Sequence, residues 1–299
     1  MLHQAPRHSN WRTMCVPIDS RTKTKAMSRF GLWKILLISS ALASPALAQS
    51  ASGQHAQVPD LSGGDGGWVH ARGARFAPVP GTASPVRQDP AHPFTPGQGR
   101  TYQIGDLSNP NLKPWVREVM KKDTAEIDAG KIAFQPEASC LPTSIPIMYA
   151  LPSALQIVQT PREVVMFKEG GSDIRHIYLD VPHSANPKPS WYGESVGHYE
   201  GDTLVIDTIG IDTRTVLDAF RTPHTEKLHI VERWHTINGG KGLEVTTTVD
   251  DPESFYQPWS TLVRDQRGQE PFLEVICAES NDNFGLFDFH MPAATKPDF

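Results

Sequence analysis

From Leu155 onward apolar and polar residues alternate with a period of two, and short runs rich in Gly, Asn and Asp interrupt the alternation. "QIVQT" precedes "EVVMFKE", and the turn around Gly170 leads into "IRHIYLD". "SVGHY" and "TLVIDTIG" flank Glu200-Gly201-Asp202, while "LHIVERWHTI" and "LEVTTTVDD" flank Asn238-Gly239-Gly240. "WSTLVRD" and "PFLEVICAE" flank Gln266-Arg267-Gly268. β-Branched and aromatic residues are frequent in all of these, so the pattern predicts some nine strands in an antiparallel meander. A meander of that length hides its edges by closing, which predicts a mainly β, barrel-like (calycin- or lipocalin-like) fold with an internal cavity.

Upstream of Leu155 the period of two is absent. "NLKPWVREVMKKDTAEIDAG" reads as a single helix: Pro114 suits the first turn, Trp115, Val119 and Met120 can share a face, and Gly130 suits the stop. Three prolines from Pro142 to Pro152 predict an extended run across the domain. Residues 49–104 are rich in Gly, Pro, Ala and Ser without apolar periodicity, as expected of a flexible or wrapping segment. The expected organisation is thus a leader over 1–48, that segment over 49–104, one β domain over 105–285, and a C-terminal tail over 286–299.

The leader changes the picture of where the protein acts. "MSRFGLWKILLISSALASPALAQ" has basic Arg29 and Lys34, an apolar run around Ile35 to Leu42, and an A-x-A motif ending at Ala48, which together predict a signal peptide cleaved near Ala48-Gln49. Met27 is a plausible start. The apolar run is short of the roughly 20 residues needed to span a bilayer, so no membrane insertion is expected. The expected location is the periplasm or the exterior.

Of the 28 Lys/Arg and 33 Asp/Glu in the chain, residues 1–48 hold seven and one, leaving 21 and 32 and a net charge of −11. An acidic exported chain is poorly suited to nucleic acid or an anionic membrane surface. Two cysteines remain, Cys140 and Cys277, and in an oxidising compartment the pair reads as a disulfide, the alternative being two separate buried thiols.

Titratable residues are densest in "PHTEKLHIVERWH", residues 223–235. The spacing of His229, Glu232 and His235 does not match a helical zinc motif, and in a strand His229 and His235 lie roughly 20 Å apart, too far to share one ion. No metal and no cofactor is therefore expected. One strand face carries Leu228, Ile230, Glu232 and Trp234, the other His229, Val231, Arg233 and His235. With the apolar face inward, Glu232 is either half of a buried ion pair or an acid–base group lining a cavity; with the faces reversed, the histidines look inward.

Similar reasoning places Asp207 with Val205 and Ile209 inside an apolar run, His198 with Val196, and Arg175 with Ile177 and Leu179. The loop "DVPHSANPKPSWYGES" holds His183, Trp191 and Tyr192 among prolines, and "GIDTRTVLDAFRTPHTEK" holds Asp212, Arg214, Asp218 and His224. Gly193-Glu194-Ser195-Val196-Gly197 has G-x-S-x-G spacing but opens a predicted strand rather than a helix, so it is not read as a nucleophile elbow, and non-covalent acid–base chemistry is the expected class. The candidate catalytic residues are His198, Asp207, His224, His229 and Glu232. Arg175, Trp191, Tyr192, Arg214 and Trp234 are the candidates for holding a small hydrophobic or aromatic ligand. The expected activity is of lyase or isomerase type; a periplasmic carrier without catalysis and a metal-dependent hydrolase are the alternatives.

The blocks "CLPTSIP", "QIVQTPREVVMFKE", "RHIYLD", "WYGESVGHYEGDTLVIDTIGID", "PHTEKLHIVERWH" and "VTTTVDDPESFYQPW" occur in this order. As a set, across residues 105–282, they resemble an uncharacterised family of exported bacterial proteins. The resemblance implies export and marks "WYGESVGHYEGDTLVIDT" and "PHTEKLHIVER" as family blocks. It implies no particular reaction.

Overall fold

The computed structural model describes residues 58–71, 76–88, 90–91, 103–130, 141–151, 153–170 and 173–274. The expected signal peptide, the C-terminal tail and both Cys140 and Cys277 lie outside the described residues. Eight strands follow one another round a barrel in chain order. They are β5 (Leu155–Gln159), β6 (Glu163–Lys168), β7 (Ile174–Leu179), β8 (Glu194–Glu200), β9 (Thr203–Ile209), β10 (His229–Ile237), β11 (Gly242–Asp250) and β12 (Trp259–Arg267). The ninth is β1 (Trp68–His70), which pairs with β12 on one side and β5 on the other and closes the ring.

The fold is therefore mainly β with a closed nine-stranded barrel, as the alternation predicts. The ninth strand differs from the one expected. It comes from the Gly/Pro-rich segment, whereas Pro271–Glu274 of "PFLEVICAE" is not in a strand. Three residues are too few for periodicity to reveal β1. It is held by Trp68, whose indole N–H donates to the Leu61 carbonyl (2.7 Å) and whose ring is covered by Arg267 (5.0 Å).

A second difference concerns direction. Strand direction cannot alternate all the way round a ring of nine, so at least one neighbouring pair must be parallel. That pair is β7–β8, joined over only three residue pairs, Ile177↔Ser195, Tyr178↔Val196 and Leu179↔Gly197. A parallel pair needs a connection that returns along the barrel, and residues 180–193 supply it. This Pro-rich stretch crosses the outer faces of β8 and β9, where Ser190 bridges Ile211 and its amide donates to the Gly210 carbonyl (3.1 Å). Elsewhere the barrel is antiparallel.

Helix α1 (Pro114–Asp128) is the one α-helix among the described residues. Its buried side chains are Val116 and Met120, one turn apart, while Trp115 and Val119 are exposed. The expected grouping of Trp115 with Met120 was one position out of phase with the real face. Trp115 instead tethers the helix through its indole N–H to the Glu253 carbonyl (2.8 Å). Short β2 (Ala77–Pro78) pairs with β12, and β3 (Val86–Gln88) pairs with β4 (Gln103–Gly105) in a separate two-stranded sheet.

Inward-facing residues pack into one core that includes Ile157, Met166, Ile177, Leu204, Ile206 and Trp234. Just before β5, a 3-10 turn over Ile147–Ala150 buries Met148 and Tyr149 in the same core.

Candidate functional site

At the parallel seam the strands part. The ladder ends at Ile177↔Ser195, so the beginning of β7 and the chain entering β8 are not paired with each other. A groove of about 630 Å³ opens there. Its floor is the outer face of β7, where Ile174, His176 and Tyr178 stand in a row, and its wall is the crossover, with Lys188, Trp191 and Glu194 among the lining residues. Ile174 and Tyr178 are 58% and 49% exposed, an unusual position for large apolar side chains on a strand. His176 stacks on Tyr178 (centroids 6.5 Å) and bonds to Glu163 (2.5 Å). Trp191 is fixed from behind by the Arg214 guanidinium, 4.8 Å over its ring, and Arg214 in turn forks onto Asp212.

The deep end of the groove is built from buried polar groups. Tyr192 donates its hydroxyl to Asp173, which also accepts from the Thr143 amide (2.8 Å) and hydroxyl (3.1 Å). Burial, and then the Asp173 carboxylate, pushes the Tyr192 phenol well above its ordinary range. Ser195 also lines the groove, and its hydroxyl belongs to the core network around Arg175.

In that network, Arg175 donates to Ser195 Oγ from Nε (3.1 Å) and Nη2 (3.0 Å), to Thr208 Oγ1 (2.8 Å), to the Tyr149 hydroxyl and to Glu232 Oε2 (2.6 Å). Arg175 and Glu232 are both fully buried. Burial opposes the Arg175 charge, but Glu232 more than compensates and holds the guanidinium protonated; burial pushes the Tyr149 phenol far up. Glu232 Oε1 and the Trp234 indole N–H find no partner among the described residues.

On the other side of the crossover a second chain of titratable groups lies on the barrel's outer face. His183 Nδ1 is 3.0 Å from Glu194 Oε1 and its Nε2 is 2.8 Å from Asp207 Oδ1. His229 Nε2 is 3.0 Å from Asp207 Oδ2. The Ser184 amide donates to the same Glu194 oxygen (2.6 Å). Hydrogen bonds from Ser184, reinforced by His183, hold Glu194 below its ordinary pKa. Burial raises Asp207, yet the hydrogen bonds and charge of His183 and His229 outweigh it and leave the group lowered. Among the described residues, no three His, Cys, Asp or Glu side chains are placed to hold a metal ion; each histidine here faces a carboxylate at hydrogen-bond length.

The five candidate catalytic residues do not meet in one place. Asp207 and His229 are adjacent, but on the outer face, so Asp207 is a correction to its expected place inside the barrel. "LVI" in β9 puts buried side chains at three consecutive positions, Leu204, Val205 and Ile206, and such a run cannot show which phase faces in. His198 is exposed and pairs with Glu200 (3.1 Å), which also accepts from Arg233 (2.7 Å). His224 is buried between the Thr215 hydroxyl (2.8 Å) and the Thr225 carbonyl (3.0 Å), and burial lowers its pKa. Glu232 points inward with Trp234, as the apolar face of β10 implies.

Among the candidate ligand contacts, Trp191 and Tyr192 line the groove, while Arg175 and Trp234 are enclosed in the core. Arg214 reaches the groove through Trp191. Residues not singled out from the sequence are Tyr149, Asp173, Glu194, Ser195 and Thr208. Ser195 and Thr208 fall on the inward phase of their strands, so the period of two could have flagged them; nothing local marks Tyr149.

No family model, curated protein or solved structure matches this chain.

Proposed function

We propose that this chain is an exported β-barrel protein that holds a small hydrophobic or aromatic molecule in the seam groove and acts on it by acid–base chemistry of the lyase or isomerase type. The observation that carries the reading is the groove itself. Exposed Ile174 and Tyr178 on a strand face an aromatic wall at Trp191, and the wall also carries a carboxylate, Glu194. Aromatic walls with a few placed polar groups are the usual make-up of a small-molecule site. Glu194 is ionised at neutral pH and is hydrogen-bonded to His183, which contacts Asp207. A carboxylate at the ligand, backed by an imidazole that can pass on a proton, is a workable base.

Binding is tested with the aromatic dye 1-anilinonaphthalene-8-sulfonate by fluorescence titration. The expected result is saturable binding that Tyr178→Ala with Trp191→Ala weakens by roughly tenfold, the loss of one to two aromatic contacts. Unchanged affinity in that double variant would sink the groove as the site.

A carrier without catalysis would use the same groove, and the position of His183 behind Glu194, outside the groove lining, favours that second reading. The two separate on the fate of the ligand. Small molecules recovered from the purified native protein are identified by mass spectrometry and returned to it. Conversion slowed roughly 10²-fold by Glu194→Gln supports catalysis, and ligand returned unaltered by the native protein supports the carrier.

A further inference from the structure

His183 is the one side chain of the crossover that touches two different strands through charged groups: Glu194 at the start of β8 and Asp207 on β9. A neutral imidazole has one N–H and one lone pair, whereas an imidazolium donates from both nitrogens. Both ring nitrogens here face carboxylate oxygens, at 3.0 and 2.8 Å, so only the imidazolium satisfies both contacts. A neutral ring sets a lone pair against one of the two carboxylates. We propose that His183 is a proton-operated latch on the groove wall: as the imidazolium it pins residues 183–191 against β8 and β9, and loss of its proton releases that wall.

The surroundings indicate which contact gives way. Glu194 keeps the Ser184 amide and side chain as donors, and its contact with His183 is the longer at 3.0 Å, whereas Asp207 lies 2.8 Å from His183 and otherwise meets His229 from β10. The proton left on the neutral ring therefore stays on Nε2 with Asp207, and the bond to Glu194 breaks. The other charged groups nearby are engaged elsewhere: His198 with Glu200, and Glu200 with Arg233. Lys188 lies on the crossover and lines the groove, and moves with it. Glu194 is shared between latch and groove, so releasing the latch alters the wall that a ligand touches.

As control of ligand entry this rests on the groove being the ligand site, but the latch is measured without a ligand. On the full mature chain, long-range ¹H–¹⁵N spectra follow the His183 ring from about pH 5 to about pH 8, the interval in which histidines titrate. The exchange rate of the Ser184 amide, corrected for its intrinsic pH dependence, is recorded alongside. The expected result is that Ser184 protection falls by about threefold to tenfold with the same midpoint as the ring, whose neutral form carries its proton on Nε2. Asp207→Asn should shift both midpoints together, and His183→Gln should abolish the pH dependence; His198→Gln should leave it intact.

Protection that stays constant while the ring titrates, or an amide and a ring with separate midpoints, overturns the latch. A coupled Ser184 transition in a protein that binds no dye at any pH upholds the latch and overturns the groove as a ligand site.

Discussion

The Arg175–Glu232 pair shows how one residue's surroundings set its role. Both side chains are fully buried, and Arg175 spends its donors on Glu232, Ser195, Thr208 and Tyr149. Removing one partner leaves an unpaired charge in the core, whereas replacing both with apolar groups of similar volume removes the charge altogether. Glu232→Leu is therefore expected to cost about 3–5 kcal/mol in urea denaturation, and Arg175→Met with Glu232→Leu to recover most of that loss. If the double variant is as unstable as the single, the pair is more than mutual neutralisation.

His224 makes a separate prediction at the same scale. Burial lowers its folded-state pKa below the unfolded value of about 6.5, so the unfolded chain takes up the proton first as pH falls. Its contribution to stability is complete above about pH 6.5 and is lost as pH drops toward the folded value. Glu194 and Asp207, with lowered pKa values, lose their contributions only in the carboxylate range, at lower pH. Urea midpoints between about pH 7 and about pH 5 should decline, and His224→Gln should flatten that decline.

Among the elements, the crossover is the one on which the groove depends. It must end by turning sharply into β8, and Gly193 makes the turn at φ +63°, where a Cβ would lie 2.4 Å from the Ile209 carbonyl oxygen. Gly193→Ala combines left-handed backbone with a backbone clash, and about 1–3 kcal/mol of destabilisation is expected in thermal melts. Because the turn also sets Tyr192 and Glu194 on either side of it, dye affinity should fall in the same variant.

Alternation was informative for strands with apolar residues on one face only. In β10 it separated Glu232 and Trp234 from His229 and Arg233, and the structure keeps that division. In β9 and α1 apolar residues lie on more than one face, so spacing alone left the phase open.

For the molecule as a whole, stability turns on closing the ring. β1 contributes three residue pairs to β12 and one to β5, which is little backbone pairing for a closing strand. Side-chain burial makes up the difference: Trp68 is 1% exposed and joins the barrel core. Close backbone approach completes the join, since a Cβ on Gly268 would lie 2.1 Å from the Gly66 carbonyl oxygen. Trp68→Ala is expected to cost about 3–5 kcal/mol and, by freeing the edges of β5 and β12, to promote aggregation measurable by light scattering. A variant that melts like the native protein and stays monodisperse would show that β1 is dispensable for closure.

The sequence by itself determined the strands, most of their faces and the barrel, because burial on one side of a pleated strand writes a period of two into the chain. It also placed Glu232 inside and Trp191 and Tyr192 on a stiff loop, since those follow from local spacing and prolines. Only the tertiary structure decided that the ninth strand comes from the N-terminal segment and that β7 and β8 run parallel. The same is true of Glu194, His183, Asp207 and His229 forming one chain of contacts. These depend on which strands become neighbours when the ring closes. That choice is made by pairing between residues far apart in sequence, and no local pattern carries it.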